Sequence, residues 1–229
     1  MDLVWLWFRS PHFGLAARMM RTSEPPHLDG EIMTGQSFAL FDTSIGRCGI
    51  TWGARGICGV QLPEASEART RARLMRRYPD AREALPSPQM RHAIEAIAAL
   101  LAGRPTDLSA VALDMDGVPD FDRRVYEAAR SIAAGSTLSY GELAARLGER
   151  GLARDVGQAL GRNPFPIIVP CHRVLAAGGR SGGFSANGGV ATKLRLLTIE
   201  RARTSDAPTL FDGDDGFGFA LKPKARSRS

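Results

Sequence analysis

Cys171, His172 and Arg173 stand in a row at the end of the apolar run 167–170, and this stretch, IIVPCHRV, carries the clearest chemistry in the chain. A cysteine attacks as its thiolate, so a reactive one needs a base or a positive field beside it. His172 is the adjacent base. Glu200 is the only acid between Asp155 and Asp206, and so the only nearby carboxylate to orient the imidazole. A Cys–His–Glu relay is one reading of this pattern. The other is a buried structural cysteine beside a surface histidine, because free cysteine is often a small buried hydrophobe. If 167–169 is a strand, adjacent side chains point to opposite faces, and contact between Cys171 and His172 needs a turn or a bridging water past Pro170. His12, His27 and His92 stand in no motif that a cysteine protease would require.

The elements that must position these residues can be read outward from Cys171. Upstream, SYGELAARLG opens with Ser139 and Glu142 at capping-box spacing, which predicts a helix starting at Ser139 and closed by Gly148. ARDVGQALGR predicts a second short helix ending near Gly161 and Arg162. Together they make a helix-turn-helix whose second member is the natural recognition helix. Asn163 precedes Pro164 and is held out of the helical region, so that helix must stop there. A helix over 121–133 is expected to turn Phe121, Val125, Ala128, Ala129 and Ile132 inward. Downstream, a glycine-rich loop surrounds Phe184, and a last helix over 190–201 is expected to carry Leu194 and Leu197 inward and to end near Glu200.

The first half has a different texture. Residues 37–62 alternate apolar positions between glycines and predict a small antiparallel meander. An arginine-rich helix is expected over 67–78. A second helix bearing Met90, Ile94, Ile97 and Leu101 on one face stops at Gly103, and 110–115 reads as a further strand. The fold class is therefore α+β: a small N-terminal antiparallel-sheet domain with helices over 34–118, then a mainly helical domain over 119–201 holding the helix-turn-helix and the cysteine. Residues 1–33 read as a poorly ordered extension, with Met33 as an alternative start, and 202–229 as a disordered tail.

Composition narrows the function class. The chain has 229 residues and a net charge of +6. Between Arg123 and Arg173 there are eight arginines, no lysine and four acids. A solvated basic face and a polyanion-binding face both fit that balance. Three cysteines without paired spacing signal neither a disulfide framework nor a zinc knuckle, so a reducing, cytoplasmic setting is expected. The apolar run 3–8 is too short for a signal peptide, and no stretch approaches a membrane span.

PCHRV, preceded by SYGELAARLG and RNPFPIIV and followed by GGFS, resembles the O6-alkylguanine-DNA alkyltransferase family, strongly over 119–200 and weakly over 37–118. The resemblance implies a DNA repair protein that flips out O6-alkylguanine, with O4-alkylthymine as a second candidate base. It would transfer the alkyl group irreversibly to its own Cys171. It implies that His172, through a water and backed by Glu200, draws off the thiol proton, and that Tyr140 donates to N3 of the base. Arg154 would fill the gap in the stack, and Asn163 would tie the recognition helix to the nucleophile. The carbonyls of Cys171 and Val174 would accept from the exocyclic amine, and the Ser185 N–H would face O6. Phe184, Leu160 and Pro166 complete the expected pocket, and Arg123, Arg124 and Arg162 the expected phosphate contacts. The implied partner is double-stranded DNA carrying alkylated bases, bound by a monomer without cofactor.

Three departures from the family pattern stand out. Asp155 follows the arginine where a small apolar residue is usual, Phe184 replaces a tyrosine, and SANGG adds residues before the last helix. His12, His27, Cys48 and Cys58 lack the spacing of the zinc ligands found in some members, so no metal is expected. Two rival readings remain. One is a sensor that flips damaged bases without transfer, although such relatives lack the cysteine. The other is a regulator signalling through methylated Cys171, which would want a second DNA-binding domain.

Overall fold

The computed structural model describes residues 35–202. The expectations for the extension, for His12 and His27, and for all but the first residue of the tail fall outside them. The meander forms as expected: β1 (Ser37–Thr43), β2 (Gly46–Gly53) and β3 (Gly56–Gln61) pair antiparallel. The chain then runs through α1 (Glu67–Arg77) to β4 (Arg82–Glu83), which adds parallel to β1 and gives the order β3-β2-β1-β4. α2 (Pro88–Leu101) buries Met90, Ala93, Ile97, Leu100 and Leu101, a 3.6-residue stripe. It is capped by Ser87 and ends before Gly103, whose φ of 77° a side chain would resist.

Residues 110–115 do not form the expected strand. Their backbone bonds to the sheet run through Ile57, whose N–H donates to Ala112 and whose carbonyl accepts from Asp114, a single parallel bridge to Leu113.

The second half supplies α3 (Asp120–Arg130), α4 (Tyr140–Arg146), α5 (Ala153–Arg162) and α6 (Val190–Ile199), and α3, α4 and α5 pack on one another. Both arms of the capping box form: Ser139 Oγ accepts from the Glu142 N–H, and the Ser139 N–H donates to Glu142 Oε2. Two short strands, β5 (Leu138–Ser139) and β6 (Val174–Leu175), pair parallel. This ladder places the start of α4 beside the chain leaving Cys171. One buried core joins both halves, with Ile50, Ile57 and Ile97 in the same cluster as Val125, Leu143, Val156 and Leu196.

Two expectations are corrected here. Residues 167–169 are a buried turn rather than a strand, bridged from Pro166 to Val169, with Ile167 at φ 76°. In α6 the buried positions are Lys193, Leu196 and Leu197, while Leu194 is half-exposed.

Candidate active site

The turn that presents Cys171 is built from α5 outward. Asn163 ends α5 with ψ 117°, the extended value imposed by the following proline. Its buried side chain then braces the turn twice: Nδ2 donates to the Val169 carbonyl at 2.9 Å, and Oδ1 accepts from the Phe165 N–H at 2.9 Å. Ile167 is β-branched and left-handed, a costly conformation for such a residue, held by its burial in the core. The chain next closes a 3-10 turn over Cys171–Arg173. Cys171 and His172 are thus in a turn, not in an extended segment with alternating faces. A bond from the Val60 N–H to the Pro164 carbonyl fastens the N-terminal sheet to this turn.

Behind the cysteine lies a buried charge relay. His172 Nε2 is 2.9 Å from Glu200 Oε1, and the Arg173 guanidinium clasps both Glu200 oxygens at 2.8 Å while also donating to the Ile132 carbonyl. Burial alone would push the Glu200 carboxyl up. The hydrogen bonds from His172 and Arg173, with their charges, overcome it and hold the group at about 2. Burial pushes the His172 ring well down, against the pull of Glu200. At neutral pH the pair is therefore a carboxylate and a neutral imidazole, so Nε2 must carry the proton it shares with Glu200. The lone pair is then on Nδ1, which is buried and has no hydrogen-bond partner among the described residues.

Burial raises the Cys171 thiol above its ordinary range, while the Asn163 side chain and the Lys193 ammonium act the other way. Lys193 is fully buried, donates to the Val174 carbonyl at 2.6 Å, and lies 5.7 Å over the Tyr140 ring. Desolvation brings it down to about 8, so it is still mostly charged at pH 7. Tyr140 is gripped from two sides. A side chain at Gly157 would touch its ring at 3.7 Å, and one at Gly182, where φ is 63°, would press on its hydroxyl at 3.1 Å. Burial also pushes its phenol up, so the hydroxyl keeps its proton as a donor.

A cavity of about 490 Å³ opens between these groups, lined by Tyr140, Arg154, Gly157, Leu160, Cys171, Phe184 and Ser185 among others. Most of the sequence-predicted residues thus come together. Val174 is buried behind them and Pro166 lines a neighbouring cavity. Arg154 is exposed at the start of α5 and makes no ion pair among the described residues. The other three arginines are already engaged. Arg162 makes a two-bond ion pair with buried Asp122, Arg124 holds Glu149 and the Leu147 carbonyl, and Arg123 donates to the Met115 carbonyl. Asp155 is exposed in the first turn of α5.

Sequence reasoning missed Lys193, Asp122 and the bond from Arg173 to Glu200. Two of them left a signal. Lys193 stands three and four residues before Leu196 and Leu197, on an apolar face, and Asp122 stands three and seven before Val125 and Ala129. A charge at an inward helical position is costly unless compensated: Asp122 is paired with Arg162, and Lys193 donates to the Val174 carbonyl.

Comparison with known proteins fits this geometry. Residues 120–202 match the family model described as 6-O-methylguanine DNA methyltransferase, DNA binding domain. The chain is 36% identical over 152 residues to the methylated-DNA--protein-cysteine methyltransferase of Methanothermobacter thermautotrophicus, covering 66% of this chain and 78% of that one. It is 45% identical over 120 residues to the Mycobacterium tuberculosis protein of the same name, covering 52% and 70%. It superposes on the crystal structure of Mycobacterium tuberculosis OGT in complex with DNA with a TM-score of 0.57 at 33% identity, over 72% of this chain and 92% of that one. The chain belongs to the methylated-DNA--protein-cysteine methyltransferase family.

Proposed function

We propose that the chain binds duplex DNA, draws an O6-alkylguanine out of the stack into the cavity beside Tyr140, and transfers the alkyl group to Cys171. One observation carries this reading. A cysteine at a cavity wall stands next in sequence to a histidine whose tautomer is fixed by a buried carboxylate, leaving Nδ1 as an unshared base.

His172 accepts the thiol proton through a water, and the neighbouring Lys193 ammonium stabilises the thiolate. The sulfur attacks the alkyl carbon, the C–O6 bond breaks, and its electron pair goes into the purine. Tyr140 donates toward N3 and makes guanine the better leaving group. The carbonyls of Cys171 and Val174 accept from the exocyclic amine; Val174 already accepts from Lys193 and keeps a second lone pair. The Ser185 N–H faces O6, and Leu160, Phe184 and Pro166 wall the pocket. The product is a thioether with no leaving group, so each molecule acts once.

α4 and α5 form the helix-turn-helix. Ala153, Gly157 and Gly161 leave α5 slim enough to approach a groove floor, and Arg154 enters the stack where the base has left. Because Arg162 and Arg124 are held by Asp122 and Glu149, their phosphate contacts use only donors those carboxylates leave free. The 34–118 segment acts as a scaffold and 119–201 as the DNA-binding and catalytic segment of a monomer.

Intact mass after mixing with a duplex carrying one O6-methylguanine tests the reading. One methyl mass on the peptide containing Cys171 is expected, and none in Cys171→Ala. Tight binding of damaged DNA without any mass gain would leave only a sensor.

A further inference from the structure

A second cavity meets the first at the nucleophile. It holds about 420 Å³ and shares Cys171, Phe184 and Ser185 with the Tyr140 side, but its far wall is α1. That wall presents Arg73, Arg76 and Arg77, and among the described residues no carboxylate lines the cavity. These arginines sit at i, i+3 and i+4 and so share one face of α1, while Thr70 and Leu74 turn to the protein. Ser66 caps the helix, and the last-turn arginines suit its C-terminal dipole. Arg73 is balanced by Glu64 at 3.0 Å. Arg76 and Arg77 have no ion-pair partner among the described residues; Arg77 lies 5.8 Å over the Tyr78 ring.

We propose that this cavity receives the substituent of the group being transferred, and that its guanidinium groups favour alkyl groups ending in a carboxylate, of which carboxymethyl is the smallest. The inference rests on the reading of Cys171 as alkyl acceptor. Displacement at carbon needs sulfur, carbon and O6 in line, so anything else on that carbon must project sideways. With the purine in the Tyr140 cavity, the room left beside the sulfur is the α1 cavity. A methyl group needs none of it, and a neutral chain would be better served by an apolar wall. A guanidinium pair matches a carboxylate, in charge and in bidentate geometry. The balance is that of the methyl case: a bond forms from sulfur to the CH2 carbon, the O6–CH2 bond breaks with its electrons going to the purine, and the thiol proton ends on guanine. Cys171 becomes S-carboxymethylcysteine with no redox partner.

The test uses the full chain and the Arg76→Gln/Arg77→Gln variant, whose exposed positions keep good helix formers. Each is mixed with a duplex carrying one O6-carboxymethylguanine or one O6-methylguanine, and the single-turnover rate is read from intact protein mass. The wild type should accept both groups. The variant should transfer methyl within about twofold of wild type but carboxymethyl about three- to tenfold more slowly, the range expected for two exposed charge pairs. In the wild type, the ratio of carboxymethyl to methyl rates should fall as salt rises.

Equal losses on both substrates, with weaker binding of unmodified duplex, would assign the arginines to DNA phosphates and overturn the proposal. So would a variant unchanged on both. A wild type that takes methyl but not carboxymethyl sinks this inference alone, whereas one that takes neither sinks the function it rests on.

Discussion

Cys48 and Cys171 are both buried, and burial raises both thiols, yet their surroundings differ in kind. Cys48 sits in β2 under the meander, fully covered, with the Thr43 hydroxyl at 3.6 Å as its polar neighbour, and its thiol is pushed up to about 12. Cys171 lies at the junction of two cavities, and Asn163, Lys193 and nearby backbone N–H groups all favour its thiolate. Desolvation alone makes a cysteine inert. Desolvation offset by fixed dipoles and one ammonium suits Cys171 better than Cys48 to the thiolate role we propose for it. At Cys48 one hydroxyl opposes the effect of burial, whereas in the 163–175 turn several groups oppose it at Cys171.

Removing the anchor of that charge network should give the largest effect. Glu200→Gln leaves Arg173 buried without its carboxylate and frees the His172 tautomer. A stability loss of about 3–5 kcal/mol is expected in a urea titration, together with near-complete loss of transfer. The wild type carries the same signature in acid. Glu200 is held at about 2 against 4.5 in the unfolded chain, so its contribution of about 3 kcal/mol is present above pH 4.5 and lost as pH falls toward 2. His172, depressed by burial, adds a loss that begins as pH falls through its unfolded value of 6.5. A thermal midpoint flat from pH 7 to pH 3 would contradict a buried carboxylate relay.

Lys193 sharpens the contrast at intermediate size. Its charge supports the thiolate below about pH 8 and is lost above it. The single-turnover transfer rate of the wild type should therefore rise through the depressed His172 titration and decline above about 8. Lys193→Met should lower the plateau about tenfold and abolish the alkaline decline, with little change in DNA affinity. A decline that persists in the variant would assign it to another group. At Cys48, by contrast, Cys48→Ala should cost about 1–2 kcal/mol through the void it leaves and should not alter the transfer rate. A slowed transfer there would erase the distinction between the two cysteines.

The sequence exposes local signals better than long-range ones. The capping box at Ser139 and Glu142, the stop at Asn163 and the stripe along α2 are encoded within a few residues and form as expected. The run 167–169 misleads because a short apolar stretch bounded by prolines reads as a strand. Its turn is imposed by Asn163 bonding both Phe165 and Val169, a constraint invisible to periodicity. Of the site, spacing and the scarcity of acids raise Cys171, His172 and Glu200 as one of two readings, and the family motifs around them favour it. The Arg173 clasp on Glu200 spans 27 residues, and the meeting of α1 with the Cys171 cavity spans almost a hundred; neither leaves a local mark.

Asp155 gives the smallest expected effect and bears on how the charged site faces DNA. It stands beside Arg154 in the first turn of α5 and is exposed, and the N-cap of α5, Leu152, has no side-chain cap bond. Its local benefit is confined to the helix dipole, about 0.3–1 kcal/mol. Facing phosphates, the same carboxylate repels the duplex that Arg154 attracts. Asp155→Ala should therefore tighten binding to duplex DNA and raise the second-order repair rate about two- to fivefold at low salt, with the gain shrinking as salt is added. Transfer from free O6-alkylguanine base, which involves no phosphate, should be unchanged. Should repair on DNA also stay unchanged while the thermal midpoint drops slightly, Asp155 points away from the duplex and acts on α5 alone. A change of equal size on the free base would place Asp155 in contact with the Cys171 chemistry, which its exposed position on α5 argues against.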